Sequence, residues 1–328
     1  MSSDNNMIRL ALDAMGGDNA PACVVRGADI ACGVNPNLEI VFYGDEARIS
    51  PLIAKASHLG RASIVHTVDA VSPDDTASQA VRRGKATSMW MAIASVAAGE
   101  TDAVVSAGNT GALMAMSKLQ LRPMTGVTRP AIAAFFPTVG ELVCMLDLGA
   151  NIECDAENLV QFAILGQAFH RSLTGKESPR LGLLNVGEEE QKGHDYLRAA
   201  SRRLSDPELG LNYQGFVEGS DITNGQLDVV VTDGFSGNVA LKMAEGISSM
   251  FTRLLRRSLN KSFLSRLGYL LARSALSEMR THIDPRHYNG AVFLGLNGIA
   301  VKSHGGTDRI GFANAVSYTH LTLPTRIF

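Results

Sequence analysis

The chain has 328 residues, 45% of them hydrophobic and 19% charged, with a formal net charge of -2. Its length allows a large buried core, as one large α/β domain or two smaller ones. The near-neutral balance gives no general electrostatic reason to bind nucleic acid or an anionic membrane. No segment has the long uncharged apolar run that spans a bilayer, and the opening Met1-Ser2-Ser3-Asp4-Asn5-Asn6 lacks the basic and apolar regions of a secretory signal. Cys23, Cys32, Cys144 and Cys154 lie in apolar patterns without C-x-x-C spacing, so they read as reduced core residues of a cytosolic protein.

In chain order, 8–14 predicts a buried strand and 21–33 a helix with proline near its first turn. Strands over 38–43 and 62–67 enclose a helix over 46–58, and 76–98 is helical with a break near Gly84. A strand over 102–105 leads to a helix over 109–121. Apolar runs at 131–137 and 141–147, parted by Val139-Gly140, predict a hairpin. A helix over 156–173 follows, then strands at 181–186, 213–217 and 227–231 with a helix over 191–204. From 236 to about 280 the pattern becomes two long helices broken near Asn260 and Lys261. The alternation predicts a three-layer α/β/α sandwich around a largely parallel sheet, a single domain over 1–315 with a helical hairpin at about 240–281.

Five aliphatic runs end in corners rich in Gly, Asn and Asp, each before a helical pattern: 13–18, 106–111, 147–151, 185–189 and 232–238. Parallel strands bring their carboxyl ends to one edge, so these corners are expected to share a crevice where exposed N–H groups face an anion. The candidate anion-binding residues are Asp13, Gly16, Gly17, Asp18, Asn109, Thr110, Gly111, Asn151, Asp233, Gly234, Ser236 and Gly237. Asn238 is placed to donate to an oxyanion. Gly234-x-Ser236-Gly237 misses the nucleophile-elbow spacing, because position 238 is Asn. Lys192, near the start of a predicted helix, would reach over the rim as a point charge toward phosphate. His304 follows a strand-to-loop run and reads either as a donor to the anion or as a structural residue. There is no Walker motif, no G-x-G-x-x-G after the first strand and no H-E-x-x-H, so no cofactor or metal is expected.

Between Arg253 and Arg280 seven basic residues stand against one acid, Glu278. Phe263, Leu264, Leu267, Leu270 and Leu271 share one helical face, which on amphipathicity alone reads first as an intramolecular or dimer-forming hairpin, with a membrane interface as the alternative. The string from Val316 to Thr325 matches the translation of a transposon-type sequencing adaptor, so 316–328 is expected to be a non-native tail that interrupts a helix begun at Gly311, and His320 is given no role.

The corners taken together resemble the bacterial acyl-carrier-protein:phosphate acyltransferases. The likeness rests on 11–18, 106–114, 147–151, 184–193, 233–242, 288–291 and 302–305, and covers 8–315. It implies a fold like that of phosphotransacetylases and of isocitrate and isopropylmalate dehydrogenases. It also implies formation of acyl phosphate from a long-chain acyl thioester of acyl carrier protein and inorganic phosphate, in a homodimer resting on the inner face of the cytoplasmic membrane. A glycerol-3-phosphate acyltransferase would act downstream, and the membrane reading of the hairpin gains weight. Phosphate is itself an anionic nucleophile and a thiol a competent leaving group, so positioning and charge are what the protein must supply. Lys192 and the N–H groups near Gly16, Gly17, Gly111 and Gly234 would then hold phosphate, and Asn238, with Asn109, would stabilise the oxyanion. Other readings are a phosphotransacetylase using short acyl-CoA, a metal- and nicotinamide-dependent dehydrogenase, and a non-catalytic membrane-associated scaffold.

Overall fold

The computed structural model describes residues 7–322. The elements alternate as the periodicity requires: β1 (Ile8–Asp13), α1 (Ala22–Val34), β2 (Leu38–Gly44), α2 (Glu46–Ile53), β3 (Ser63–His66), α3 (Ala77–Arg83), α4 (Ser88–Ala97), β4 (Ala103–Ser106) and α5 (Thr110–Gln120). Then come β5 (Ala131–Phe136), β6 (Val143–Leu146), α6 (Ala156–Thr174), β7 (Arg180–Leu184), α7 (Asp195–Leu204), β8 (Asn212–Val217) and β9 (Val229–Val231). Two long helices, α8 (Gly234–Leu259) and α9 (Phe263–Ile283), precede β10 (Ala291–Leu294), β11 (Ile299–Lys302) and α10 (Arg309–Thr322).

Among the described residues eleven strands form one sheet, ordered β3-β2-β1-β4-β11-β10-β5-β6-β9-β7-β8. Its central strands are apolar on both faces, as a sheet covered on both sides requires: Val104, Val105, Val229, Val230 and Val231 have no exposed surface. One apolar core packs α1, α6, α7 and α10 against one face, and the other packs α4 and α5 against the opposite face.

Three local departures from the sequence expectation have physical causes. Helix α2 stops at Ile53 rather than 58, because Asp29 Oδ1 captures the backbone N–H groups of Ser57 and His58 at 3.0 and 2.7 Å. Helix α7 starts at Asp195 rather than 191; the Asn185 side chain donates to the carbonyls of Gly187 and Lys192 and holds the preceding residues as a turn. Helix α10 runs unbroken through Val316, whose side chain and that of Thr319 continue the buried stripe begun by Phe312. The expected interruption at Val316 is therefore absent; the last six residues of the expected tail, 323–328, lie outside the described residues.

The strand directions matter most for function. Strands β1, β2, β3, β4 and β11 run parallel to one another, and β6, β7, β8 and β9 likewise. Between the two sets, β11–β10, β10–β5 and β5–β6 are all antiparallel. Three reversals leave the second set pointing opposite to the first, so the glycine corners leave the sheet in two directions. The single rim expected from a largely parallel sheet is not what forms, because β10, which the sequence pattern did not reveal, and β5 reverse the sheet in its middle.

Candidate active site

The first group of corners gathers at the ends of β1, β4 and β11. Asp13 is buried; its Oδ1 accepts the Ser88 hydroxyl and its Oδ2 the Ser106 hydroxyl, each at 2.6 Å. Burial pushes the Asp13 carboxyl above its ordinary range, opposed by those hydroxyls and by the N–H groups of Met15 and Gly16. Asp13 is thus a brace for the turn. Gly16 packs so closely over it that a Cβ there would strike Asp13 Oδ2 and lie 2.8 Å from Gly108 N. Asp18 N–H donates to Gly305 O at 3.0 Å, tying the first turn, with Gly17, to the turn after β11.

Asn109 caps α5, accepting Ala112 N–H at 3.0 Å and donating to Pro73 O and Asp75 O at 3.0 and 2.9 Å. Its amide is committed to architecture, which removes it from the oxyanion role and leaves Thr110 and Gly111 exposed in the first helical turn. His304 is fixed by a bond from its backbone N–H to Asn289 Oδ1 and by its own Nδ1, which accepts Gly306 N–H at 3.1 Å. Lys302, at the end of β11, lies half-buried with its ammonium donating to the carbonyls of Ala107 and Ser303. Burial first, and then the neighbouring Lys242, bring its amine down to about 8, against the pull of Asp13 and Asp18.

The second group gathers at the ends of β6, β7 and β9. Asp147 accepts four bonds, from the N–H groups of Ile132, Ala150 and Asn151 and from Asn151 Nδ2, at 2.6 to 3.1 Å. Asn151 also donates to Pro130 O, and its carbonyl takes Gly234 N–H at 2.8 Å. Asp233 caps α8 through Ser236 N–H at 2.8 Å, receives the Ser236 hydroxyl at 2.9 Å and the Tyr196 hydroxyl at 3.3 Å. A Cβ on Gly237 would collide with Asp147 O, so the helix can start here only with glycine. Asn238 is exposed one turn on and overhangs Gly149. Lys192 belongs to this group alone; it is exposed, with Nζ 2.7 Å from Glu189, whose hydrogen bond raises its amine above the ordinary lysine value.

Helix α8 joins the groups. Lys242 stands nine residues beyond the Asp233 cap, about 14 Å along a helix axis, and its Nζ lies 3.4 Å from His304 Nε2. Asn238 and Lys242 are four residues apart and so line one face of that helix. Thus the structure brings Asp13, Gly16, Gly17, Asp18 and His304 together, brings Asn151, Asp233, Gly234, Ser236, Gly237 and Lys192 together elsewhere, and strings Asn238 between them. Sequence reasoning did not single out Lys242, Lys302 or Ser88. The available signals were a lysine ending a buried strand and another four residues after Asn238.

Among the described residues no three His, Cys, Asp or Glu side chains gather as a metal site, and no helix is long and apolar enough to cross a membrane. All four cysteines are free thiols.

Comparison with known proteins completes the assignment. The family described as "Fatty acid synthesis protein" matches residues 8–324. A phosphate acyltransferase of Rhodospirillum centenum is 56% identical over 308 residues, 94% of this chain and 87% of the relative; that of Rhodospirillum rubrum is 52% identical over 95% of this chain and 90% of the relative. Solved structures share the fold at low identity. They include phosphotransacetylases from Streptococcus pyogenes (TM-score 0.65, 16% identical, covering 97% of this chain and 94% of the other) and Staphylococcus aureus (0.60, 16%, 98% and 94%). A 4-hydroxythreonine-4-phosphate dehydrogenase from Klebsiella pneumoniae has TM-score 0.55 at 14% identity, covering 98% of this chain and all of the other. With a family match across nearly its whole length and relatives of this identity, the chain belongs to the phosphate acyltransferases, enzymes of the fatty acid synthesis protein family.

Proposed function

We propose that the enzyme moves a long-chain acyl group from acyl carrier protein to inorganic phosphate, giving an acyl phosphate for phospholipid synthesis. The observation that carries this reading is that the corners offer donors on braced turns while their own hydroxyls are already engaged. Ser236 donates its hydroxyl hydrogen bond to Asp233, and Ser88 and Ser106 donate theirs to Asp13. Burial holds the thiols protonated, Cys23 and Cys32 near 11 and Cys154 near 12. In this reading attack falls to the substrate, because phosphate is already an anionic nucleophile at neutral pH. A phosphate oxygen adds to the thioester carbonyl, the C–S bond breaks, and its electron pair leaves on a thiolate whose pKa of about 8.5 makes it a competent leaving group. Asn238 donates to the oxyanion of the tetrahedral intermediate, worth about 3 kcal/mol for one donor, and Lys192 exchanges Glu189 for phosphate.

Purified protein incubated with labelled phosphate should form acyl phosphate with acyl carrier protein thioesters. A preference for short acyl-CoA would support the second reading, which the phosphotransacetylase fold neighbours favour. Lys192→Ala should lower turnover by about a hundredfold and leave the unfolding midpoint nearly unchanged, since the side chain is exposed; normal turnover in that variant rejects its role.

The hairpin suits the proposed setting, a cytoplasmic homodimer held peripherally on the inner face of the membrane. Phe263, Leu264, Leu267, Leu270 and Leu271 are all exposed, flanked by Lys261, Arg266 and Arg273, which matches an anionic lipid interface. Helix α8 carries a second exposed stripe, Val239, Met243, Ile247, Met250 and Leu254, suited to a partner protomer. An acyl phosphate released at a membrane surface is reactive and apolar-tailed, so a glycerol-3-phosphate acyltransferase is the proposed consumer. Co-sedimentation with anionic vesicles, lost in Leu270→Asp, tests the membrane contact.

A further inference from the structure

The meeting of Lys242 with His304 is unusual in its polarity. Asn289 is held by donation to Ser303 Oγ, Thr307 Oγ1 and Gly311 O, and in turn it holds the backbone of His304. Because Nδ1 of His304 accepts Gly306 N–H, the ring proton sits on Nε2. That Nε2–H faces the Lys242 ammonium across 3.4 Å, donor against donor. Glu245 takes one ammonium proton at 2.9 Å, and the others remain for an acceptor. Lys302 is near enough that Lys242 lowers its affinity for a proton, and Lys242 and Lys302 both lower that of His304, where burial acts first. The acids facing the cluster are Glu245 on α8, Asp18 on the first turn, and Asp13, whose oxygens are taken by serines.

We infer that a phosphate-type oxyanion binds between Lys242 Nζ and His304 Nε2, with Lys302 beside it, as a second anion site separate from the Lys192 turn. One phosphate oxygen can accept from both facing donors, which turns a repulsive contact into two charge-assisted hydrogen bonds. The inference deepens the proposed function and rests on it for the identity of the occupant. Two of that reaction's groups have the required chemistry: inorganic phosphate, and the phosphodiester that tethers the donor's thiol arm to its carrier protein. Gly306 packs beside the His304 ring and Asp18, and Asn238 lies one turn along α8 toward the other group.

The test uses the full chain and three variants, Lys242→Met, His304→Leu and His304→Gln, the last keeping a donor near the Nε2 position. Removing a hydrogen bond to a charged group costs about 1.5–3 kcal/mol, so Lys242→Met and His304→Leu should each raise KM for one phosphate-bearing substrate by about tenfold or more. Turnover should stay within about threefold and His304→Gln should remain near the parent. A rise confined to inorganic phosphate identifies it as the occupant; a rise confined to the acyl carrier protein thioester identifies the phosphodiester. Unchanged KM for both substrates overturns the inference, as does a fall in turnover alone. Binding of inorganic phosphate and of a phosphopantetheine arm, followed by thermal shift, gives a readout independent of turnover. If the protein makes no acyl phosphate yet one of these ligands stabilises it through Lys242 and His304, the site stands and the proposed reaction falls.

Discussion

Replacing Lys302 by methionine should stabilise the unliganded protein while weakening its response to phosphate. The amine sits at about 8, against an ordinary 10.5, chiefly because burial disfavours its charge. A lysine with a lowered folded-state pKa opposes folding wherever it is charged: the penalty is complete below the folded value and disappears as pH rises past the unfolded one. At about 1.4 kcal/mol per pKa unit, the penalty is about 3 kcal/mol at pH 7, about 2 at pH 9 and under about 1 at pH 10. Two carbonyls lose their donor in Lys302→Met, those of Ala107 and Ser303, at a cost of about 1 kcal/mol or more. The net expectation is a gain of about 1–2 kcal/mol at pH 7 that shrinks steadily toward pH 10. Denaturant unfolding of parent and variant from pH 7 to pH 10 measures this directly. A bound anion favours the charged amine, so saturating phosphate should narrow the gap at pH 7 by stabilising the parent more than the variant. A variant less stable than the parent at pH 7, or a gap that does not change with pH, refutes the argument.

Two further perturbations test the frame. Asp228, 1% exposed, accepts Lys176 and both the backbone and the guanidinium of Arg180; burial alone would raise its carboxyl, but these partners bring it down to about 2. Asp228→Asn leaves two cations unpaired and should cost about 3 kcal/mol at pH 7. The parent's advantage is complete above pH 3.8 and fades as pH falls toward 2, so an acid titration of unfolding in both proteins checks the sign. Gly237→Ala drives a methyl group into Asp147 O and to 2.9 Å from the Thr232 methyl. The start of α8 must shift, costing about 1–3 kcal/mol and reducing turnover by displacing Asn238; wild-type turnover and stability together would show that the packing at this cap is looser than described.

Elements with a clear period were legible in the sequence. The break at Gly84, the hairpin at β5–β6 and the division between α8 and α9 follow from turn residues and apolar spacing alone. Strand order was not legible, because pairing depends on contacts distant in sequence. Ala291 to Leu294 is a four-residue run between two loops, too short to declare its direction, yet together with β5 it reverses the sheet. That reversal is why the glycine corners could be recognised one by one but not placed on one edge. For the same reason Asn109 looked like a free amide, although Pro73 and Asp75, more than 30 residues away, engage it. Lys242 escaped notice because nothing local says that α8 carries it across to the turn of His304.

The length of α8 has a mechanical consequence. Its 26 residues form one continuous rod of about 39 Å, whose first turns bear Asn238 and Lys242 and whose far end leads to the apolar tip at Phe263. A single unbroken helix therefore carries both polar side chains at a fixed spacing and leads directly to the apolar tip.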